Sequence, residues 1–193
     1  AMLKVPRHLF VGPENIEAAY SDSALPIKEN QTISQPYVVA LMTTVAELSS
    51  TDKVLEVGTG SGYQAAVLGE IVREVYSIEI IETLARESSE LLNKLGYKNI
   101  HVKHGDGYQG WKEAAPFDAI LITAAAPKIP EPLLHQLKME GRLVMPLGKS
   151  RAPQELIALT KTENGLKKRV VEIVAFVPMT GEVRNIGKDS FPD

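Results

Sequence analysis

The stretch Val54-Leu55-Glu56-Val57-Gly58-Thr59-Gly60-Ser61-Gly62-Tyr63 decides the fold. Its first part, from Lys53 to Val57, is a short β-branched strand. Gly58 to Gly62 is a loop with glycine at every second position, and Tyr63 to Ile71 follows at helical spacing. Glycines in such a loop permit positive φ and let the backbone come close to a ligand. A second strand, Val72 to Ile78, ends at Glu79, an acidic residue placed to accept both hydroxyls of a ribose. Strand, glycine loop, helix and acidic strand end together predict a mononucleotide-binding α/β unit.

The alternation continues outward. Glu82 to Leu95 is an amphipathic helix closed by Gly96, and Asn99 to Lys103 a third strand. Phe117 to Thr123 is almost wholly apolar, as expected of a strand covered on both faces. Pro130 to Leu137 is predicted helical, and Arg142 to Pro146 a fifth strand. The pattern then changes to two strand-like runs, Glu155 to Thr162 and Leu166 to Val177, flanking Asn164-Gly165, a hairpin turn signal. A mostly parallel seven-stranded sheet with a C-terminal antiparallel hairpin follows. Within one domain over 1–193, residues 1–36 form a loop-rich leader covering the site, 37–150 the cofactor-binding α/β unit, and 151–193 the hairpin and a substrate-side segment. In the leader, Ser34 is placed to cap a helix with Pro36 in its first turn.

Composition removes several function classes. The 193 residues contain no cysteine, so a disulfide scaffold, a cysteine zinc site and a thiol nucleophile are out of reach. Lys+Arg number 21 against 24 Asp+Glu, a net charge of −3 that argues against general affinity for nucleic acid or an anionic membrane. No apolar run reaches the length of a membrane span, and Ala1 to Arg7 has no signal-type apolar stretch, so the expected location is cytoplasmic. His8, His101, His104 and His135 show no metal-ligand spacing, and no metal is expected. Lys167-Lys168-Arg169 beside the turn reads as a solvated strand edge that resists edge pairing.

The loop chemistry narrows the ligand. The spacing Gly58-x-Gly60-x-Gly62 is not the G-x-G-x-x-G of dinucleotide folds. Glu56 brings an anion beside the loop, which suits a cationic group such as the ammonium of a methionine moiety better than a pyrophosphate. This favours S-adenosylmethionine over a nicotinamide dinucleotide. Asp106 in His104-Gly105-Asp106-Gly107 is placed either to accept from an adenine amino group or to make a plain Asx turn. After the fourth strand, Thr123-Ala124-Ala125-Ala126-Pro127 offers almost no polar side chain. A carboxylate acceptor is already ionised at neutral pH and needs no base there.

The glycine loop, Gly105-Asp106-Gly107, Pro116-Phe117-Asp118-Ala119-Ile120 with Ala124-Ala125-Ala126-Pro127, Gln31-Thr32-Ile33-Ser34-Gln35-Pro36 and Val177-Pro178-Met179-Thr180 resemble the protein-L-isoaspartate O-methyltransferase family over nearly the whole chain. The resemblance implies S-adenosylmethionine-dependent methylation of the free α-carboxylate of L-isoaspartyl residues in damaged proteins and peptides. The ester then closes to a succinimide, which opens partly to normal aspartate. It implies a cofactor site of Gln31, Thr32, Ile33, Glu56, Gly58, Gly60, Gly62, Glu79, Asp106 and Gly107. Ser34 falls on the family's active-site serine and Thr180 on a segment near the substrate; the Ser34 hydroxyl and the backbone N–H groups near Ser34 and Ala125 are candidate donors to the substrate carboxylate. A monomer with isoaspartyl proteins as its only partners is the expected state. The residues alone leave open a methyltransferase for a small molecule or RNA, and a non-catalytic S-adenosylmethionine-binding module.

Overall fold

A computed structural model describes residues 1–149 and 152–184; the rest of the expected substrate-side segment, 185–193 with 151, lies outside the described residues. The main sheet consists of β3 (Lys53–Val57), β4 (Glu74–Glu79), β5 (Ile100–His104), β6 (Phe117–Ile122), β7 (Leu137–Leu147), β8 (Gln154–Thr162) and β9 (Gly165–Val174). Their spatial order is β5-β4-β3-β6-β7-β8-β9. The five strands from β5 to β7 pair in parallel, and β8 and β9 close the sheet antiparallel. The expected topology is thus the observed one. The chain order reverses between β3 and β6, which opens a crevice at the carboxyl ends of those strands, where open α/β sheets bind ligands.

Strand alternation divides the core into two layers. Val54, Val75, Ala119 and Leu121 face α1 (Pro36–Val45), α2 (Tyr63–Gly69) and α3 (Glu82–Lys94). Leu55, Ile78, Ile120 and Ile122 face the other way, packing with Leu133 of α4 (Glu131–Gln136). Leu55, Phe117, Ile120, Leu121 and Ile122 are all fully buried. Each such side chain contributes about 1.5–3 kcal/mol of transfer free energy. Small residues on α2, Ala65 and Ala66, let that helix lie close to the sheet.

The leader is more structured than its sequence predicts. Besides three 3-10 turns it forms a two-stranded antiparallel ribbon, β1 (Leu25–Pro26) with β2 (Thr32–Ile33). Val5, Phe10, Leu25 and Ile33 enter the α-side core, and Phe10 meets Tyr63 edge-on at 5.5 Å between ring centroids. Arg7 is buried, donates to the Ala19 carbonyl at 2.8 Å and lies over the Tyr63 ring. The leader is thereby clamped onto α2 and the glycine loop.

Two expectations are corrected. Ser34 does not cap α1: the N-cap is Gln35, with no side-chain cap bond, and Pro36 supplies the first-turn geometry instead. The fifth parallel strand is longer than Arg142 to Pro146. It runs from Leu137 to Leu147 and passes a register shift in its pairing with β6, near Glu140 at φ 59°.

Candidate active site

The glycine loop leaves β3 at Gly58 (φ 99°) and turns back at Gly60 (φ 53°). Both glycines line an open cleft together with Glu79, Ile80, Ile81 and Gly107. Gln31 from the leader, Thr123 and Ala124 after β6, and Val177 to Thr180 from the C-terminal segment also line it. A Cβ on Gly60 would meet only the tip of Ile27, at 3.7 Å, so glycine leaves that side of the loop free for a ligand. Glu79 is buried; its Oε2 accepts from the Gly60 N–H at 2.8 Å and its Oε1 from the Ile81 N–H at 3.0 Å. A carboxylate has about four acceptor sites, so one lone pair on each oxygen is still available to a diol.

A second, smaller cavity shares Gly58 and Thr123 with this cleft and is bounded by Ile33, Ser34, Glu56 and Tyr63. Most polar groups around it are engaged. The Thr123 hydroxyl donates to the Gly58 carbonyl at 2.7 Å, Gln64 donates to Thr43 at 3.0 Å, and Thr59 pairs with Ser77. Two atoms are not. The Ser34 hydroxyl makes no hydrogen bond to the protein, and Glu56 Oε1 is buried without a partner. Burial pushes the Glu56 carboxyl up to about 8, against the hydrogen bond from Ser77, and the nearby Glu79 carboxylate adds to the rise.

The residues singled out in the sequence divide into three groups. Gln31, Gly58, Gly60, Glu79, Gly107 and Thr180 line the main cleft, and Ile33, Ser34 and Glu56 line the adjoining cavity. Asp106 and Ala125 make structural hydrogen bonds, although each Asp106 oxygen, like those of Glu79, keeps a lone pair. Asp106 accepts from the N–H groups of Tyr108 at 2.9 Å and Glu182 at 2.8 Å, which makes the Asx turn and ties down the C-terminal segment. The Ala125 N–H donates to the Val177 carbonyl at 2.8 Å, and its carbonyl accepts from Met179 at 2.8 Å, so it is not a free donor for a substrate. Thr32 and Gly62 sit elsewhere. Thr32 is exposed on β2, and Gly62 (φ 86°) starts α2, where a Cβ would meet Leu92 of α3 at 3.3 Å.

Three residues at or next to these cavities escaped the sequence reading: Thr123, Thr59 and Ser77. Ser77 carried a usable signal. It is a small polar residue between Tyr76 and Ile78, in parallel register with Glu56. Among the described residues, no His, Asp, Glu or Cys side chains gather in a metal-ligating group. No helix among them is long and apolar enough to cross a membrane.

The S-adenosylmethionine expectation fits these features. The orphaned Glu56 oxygen suits an ammonium, the Glu79 carboxylate a ribose diol, and the open side of Gly60 a closely approaching ligand. Comparison with known proteins points the same way. The family model described as protein-L-isoaspartate(D-aspartate) O-methyltransferase matches residues 1–184. A protein-L-isoaspartate O-methyltransferase 2 from Shewanella sediminis is 55% identical over 181 residues, covering 94% of this chain and 74% of the relative. A protein-L-isoaspartate O-methyltransferase from Gloeobacter violaceus is 50% identical over 182 residues, covering 94% and 89%. A solved protein-L-isoaspartate O-methyltransferase superposes with a TM-score of 0.87 at 29% identity, over 94% of this chain and 60% of that longer one. A Plasmodium falciparum chain assigned to the same activity, in complex with S-adenosyl-L-homocysteine, gives a TM-score of 0.77 at 28% identity, over 93% and 88%.

Proposed function

The chain belongs to the protein-L-isoaspartate(D-aspartate) O-methyltransferase family, and on that premise we propose how its residues perform S-adenosylmethionine-dependent methylation of the isoaspartyl α-carboxylate. The observation that carries the reading is the pair of unpartnered groups, the Ser34 hydroxyl and Glu56 Oε1, in a cavity that meets the cofactor cleft at Gly58 and Thr123.

When bound, S-adenosylmethionine supplies an electrophilic methyl group. Glu79 holds the ribose hydroxyls with the lone pairs that Gly60 and Ile81 leave free. Glu56 accepts from the methionine ammonium. Gly58 and Gly60 keep the loop backbone out of the way. Ser34 donates its free hydroxyl proton to one oxygen of the substrate carboxylate and so aims the other. Val177 to Thr180 wall the cleft, and the two hydrogen bonds to Ala125 fix their position. No side chain lining the cavity has to take a proton for the step, because the acceptor is already ionised at neutral pH. Catalysis then rests chiefly on alignment and on keeping water away from the reacting oxygen. The ester product initiates repair through a succinimide. Isoaspartyl-containing proteins are the partners, and we read the chain as a cytoplasmic monomer. Its leader, cofactor unit and C-terminal segment act as one domain.

The decisive experiment offers the chain an isoaspartyl peptide and its aspartyl twin with labelled methyl donor. Label should enter the first only; equal labelling of both, or of neither, would end the assignment. With cofactor and peptide both saturating, the single-turnover rate should be nearly flat from about pH 6 to 8, outside the carboxylate range. A tenfold rise per pH unit would instead reveal an essential base. Ser34→Ala should lower turnover roughly tenfold, the worth of one hydrogen bond to a charged group. Because the hydroxyl has no protein partner, stability should change by less than about 0.5 kcal/mol. A large drop in melting temperature with normal turnover would assign Ser34 to the fold instead.

A further inference from the structure

The buried carboxyl of Glu56 is held from one side only. Parallel pairing of β3 with β4 sets Glu56 beside Ser77, and both are fully buried. The Ser77 hydroxyl donates to Glu56 Oε2. A serine has a single hydroxyl proton, so the Thr59 hydroxyl, 2.5 Å from Ser77 Oγ, must be the donor in that second bond. The result is a directed chain, Thr59 to Ser77 to Glu56, that starts in the glycine loop and ends on a carboxyl. The other carboxyl oxygen is buried without a partner, in a residue that lines the cavity.

Among the described residues, no cation stands ready to neutralise Glu56. From α1 the cavity is lined by Val39 and Met42, and from α2 by Tyr63 and Gln64. The register neighbour on β6 is Leu121. The titratable groups facing Glu56 are Glu79, at the end of β4, and Tyr63. Arg7 is one layer removed, over the far ring of Tyr63 at 4.8 Å. An ionised Glu56 in such surroundings would be a buried charge without a counter-ion, which is costly.

Resting on the cofactor reading above, we propose that Ser77 and Thr59 are positioning residues for Glu56, and that arrival of the cofactor's ammonium group expels one proton from that carboxyl. The balance is simple. The O–H bond of Glu56 breaks, its proton goes to solvent, and the carboxylate left behind accepts a hydrogen bond from the ammonium; nothing is oxidised or reduced. Ser77 keeps one oxygen in the strand layer, so the freed charge appears on the oxygen that meets the ligand. Thr59 passes the same restraint to the loop, joining the loop conformation to the state of the carboxyl.

The sign of the pH dependence follows. The free chain holds the proton up to about pH 8, where burial has pushed the Glu56 carboxyl, whereas the complex does not hold it. Affinity should therefore climb close to tenfold per pH unit from pH 6 and level off near 8. Ser77 favours the charged form, so removing its hydroxyl moves the midpoint upward and weakens binding at pH 7.

The test is calorimetry on the full chain at pH 7 in two buffers of different ionisation enthalpy. The probes are S-adenosyl-L-homocysteine and its analogue lacking the amino group. About one proton should be released with the first and none with the second. Glu56→Gln should release none with either. Ser77→Ala should bind the amino-less analogue as the parent does, bind S-adenosyl-L-homocysteine several-fold more weakly, and shift its pH midpoint upward; Ser77→Thr should restore the parent behaviour. Tight binding of S-adenosyl-L-homocysteine with no proton release, or the same release from Glu56→Gln, would overturn the inference and leave the cofactor reading standing. No binding of S-adenosyl-L-homocysteine at any pH would overturn the cofactor reading itself. Equal weakening of both probes by Ser77→Ala would mark Ser77 as structural only. The proton count on the unaltered chain decides the matter even if a variant fails to fold.

Discussion

Glu79→Ala is expected to weaken binding of S-adenosyl-L-homocysteine by roughly 100-fold, the largest effect of any single side chain in the cleft. Its carboxylate carries two loads. It holds the N–H groups of Gly60 and Ile81, which shape both lips of the cleft, and its remaining lone pairs are the ones proposed to take the ribose hydroxyls. Alanine removes the acceptor for the diol and strands two backbone donors near the ligand. Hydrogen bonds to a charged group are worth about 1.5–3 kcal/mol each and do not add in full, so a loss near 3 kcal/mol is reasonable. Calorimetry on the variant measures it directly. Unchanged affinity would remove Glu79 from the site, and an equal loss in Glu79→Gln would show that charge matters more than acceptor geometry.

The second large effect is on the loop itself. Gly58→Ala is expected to cost about 2–4 kcal/mol of stability together with cofactor affinity. At φ 99° an L-residue is strained, and the new Cβ would stand 2.5 Å from Thr123 Oγ1. Thr123 cannot yield freely, because its hydroxyl is bonded to the Val57 and Gly58 carbonyls at 3.1 and 2.7 Å. Either the clash persists or those bonds break. Gly96→Ala supplies the control, since it has φ 90° but nothing within 4 Å of the added carbon. In a chain of this length each kcal/mol moves the melting temperature by about 2–4 °C. Gly58→Ala should therefore melt several degrees below Gly96→Ala. Equal melting temperatures would mean that Thr123 is not holding the loop.

The sheet and the cleft were legible because their signals are local. Apolar runs bounded by Gly and Pro mark the strands, and the strand-loop-helix sequence around Gly58 brings Glu79 beside the loop wherever such a unit folds. What the sequence did not reveal depends on contacts between distant residues. Ser34 has the composition of a cap, but β2 ends just before it and the turn into α1 hands the N-cap to Gln35. Ala125 looked available to a substrate, yet its amide and carbonyl are taken by Val177 and Met179, more than fifty positions away. Asp106 met its Asx turn and, unforeseen, the Glu182 amide. Lys138 to Gly141 fell between the expected helix and strand; β7 runs through it, and its pairing with β6 flanks it at Phe117 with Leu137 and Ala119 with Arg142. The ribbon at Leu25 and Ile33 has two residues per strand, too short for any period to register.

The edge position of β9 has a consequence for motion. Among the described residues β9 bonds only to β8, and it is exposed from Gly165 to Arg169, with Val170 and Ile173 at least half exposed. Few apolar contacts must therefore be broken to fray it, and it belongs to the part of the chain that opens at low free energy, well below the cost of global unfolding. The wall formed by Val177 to Thr180 leaves directly from this strand, while the opposite wall, at Gly58 and Glu79, leaves from the fully buried centre of the sheet. One side of the cleft is thus anchored in the buried centre of the sheet and the other next to its edge strand. Fraying of the edge is expected to stop at Ala125 and Asp106, whose hydrogen bonds hold Val177, Met179 and Glu182.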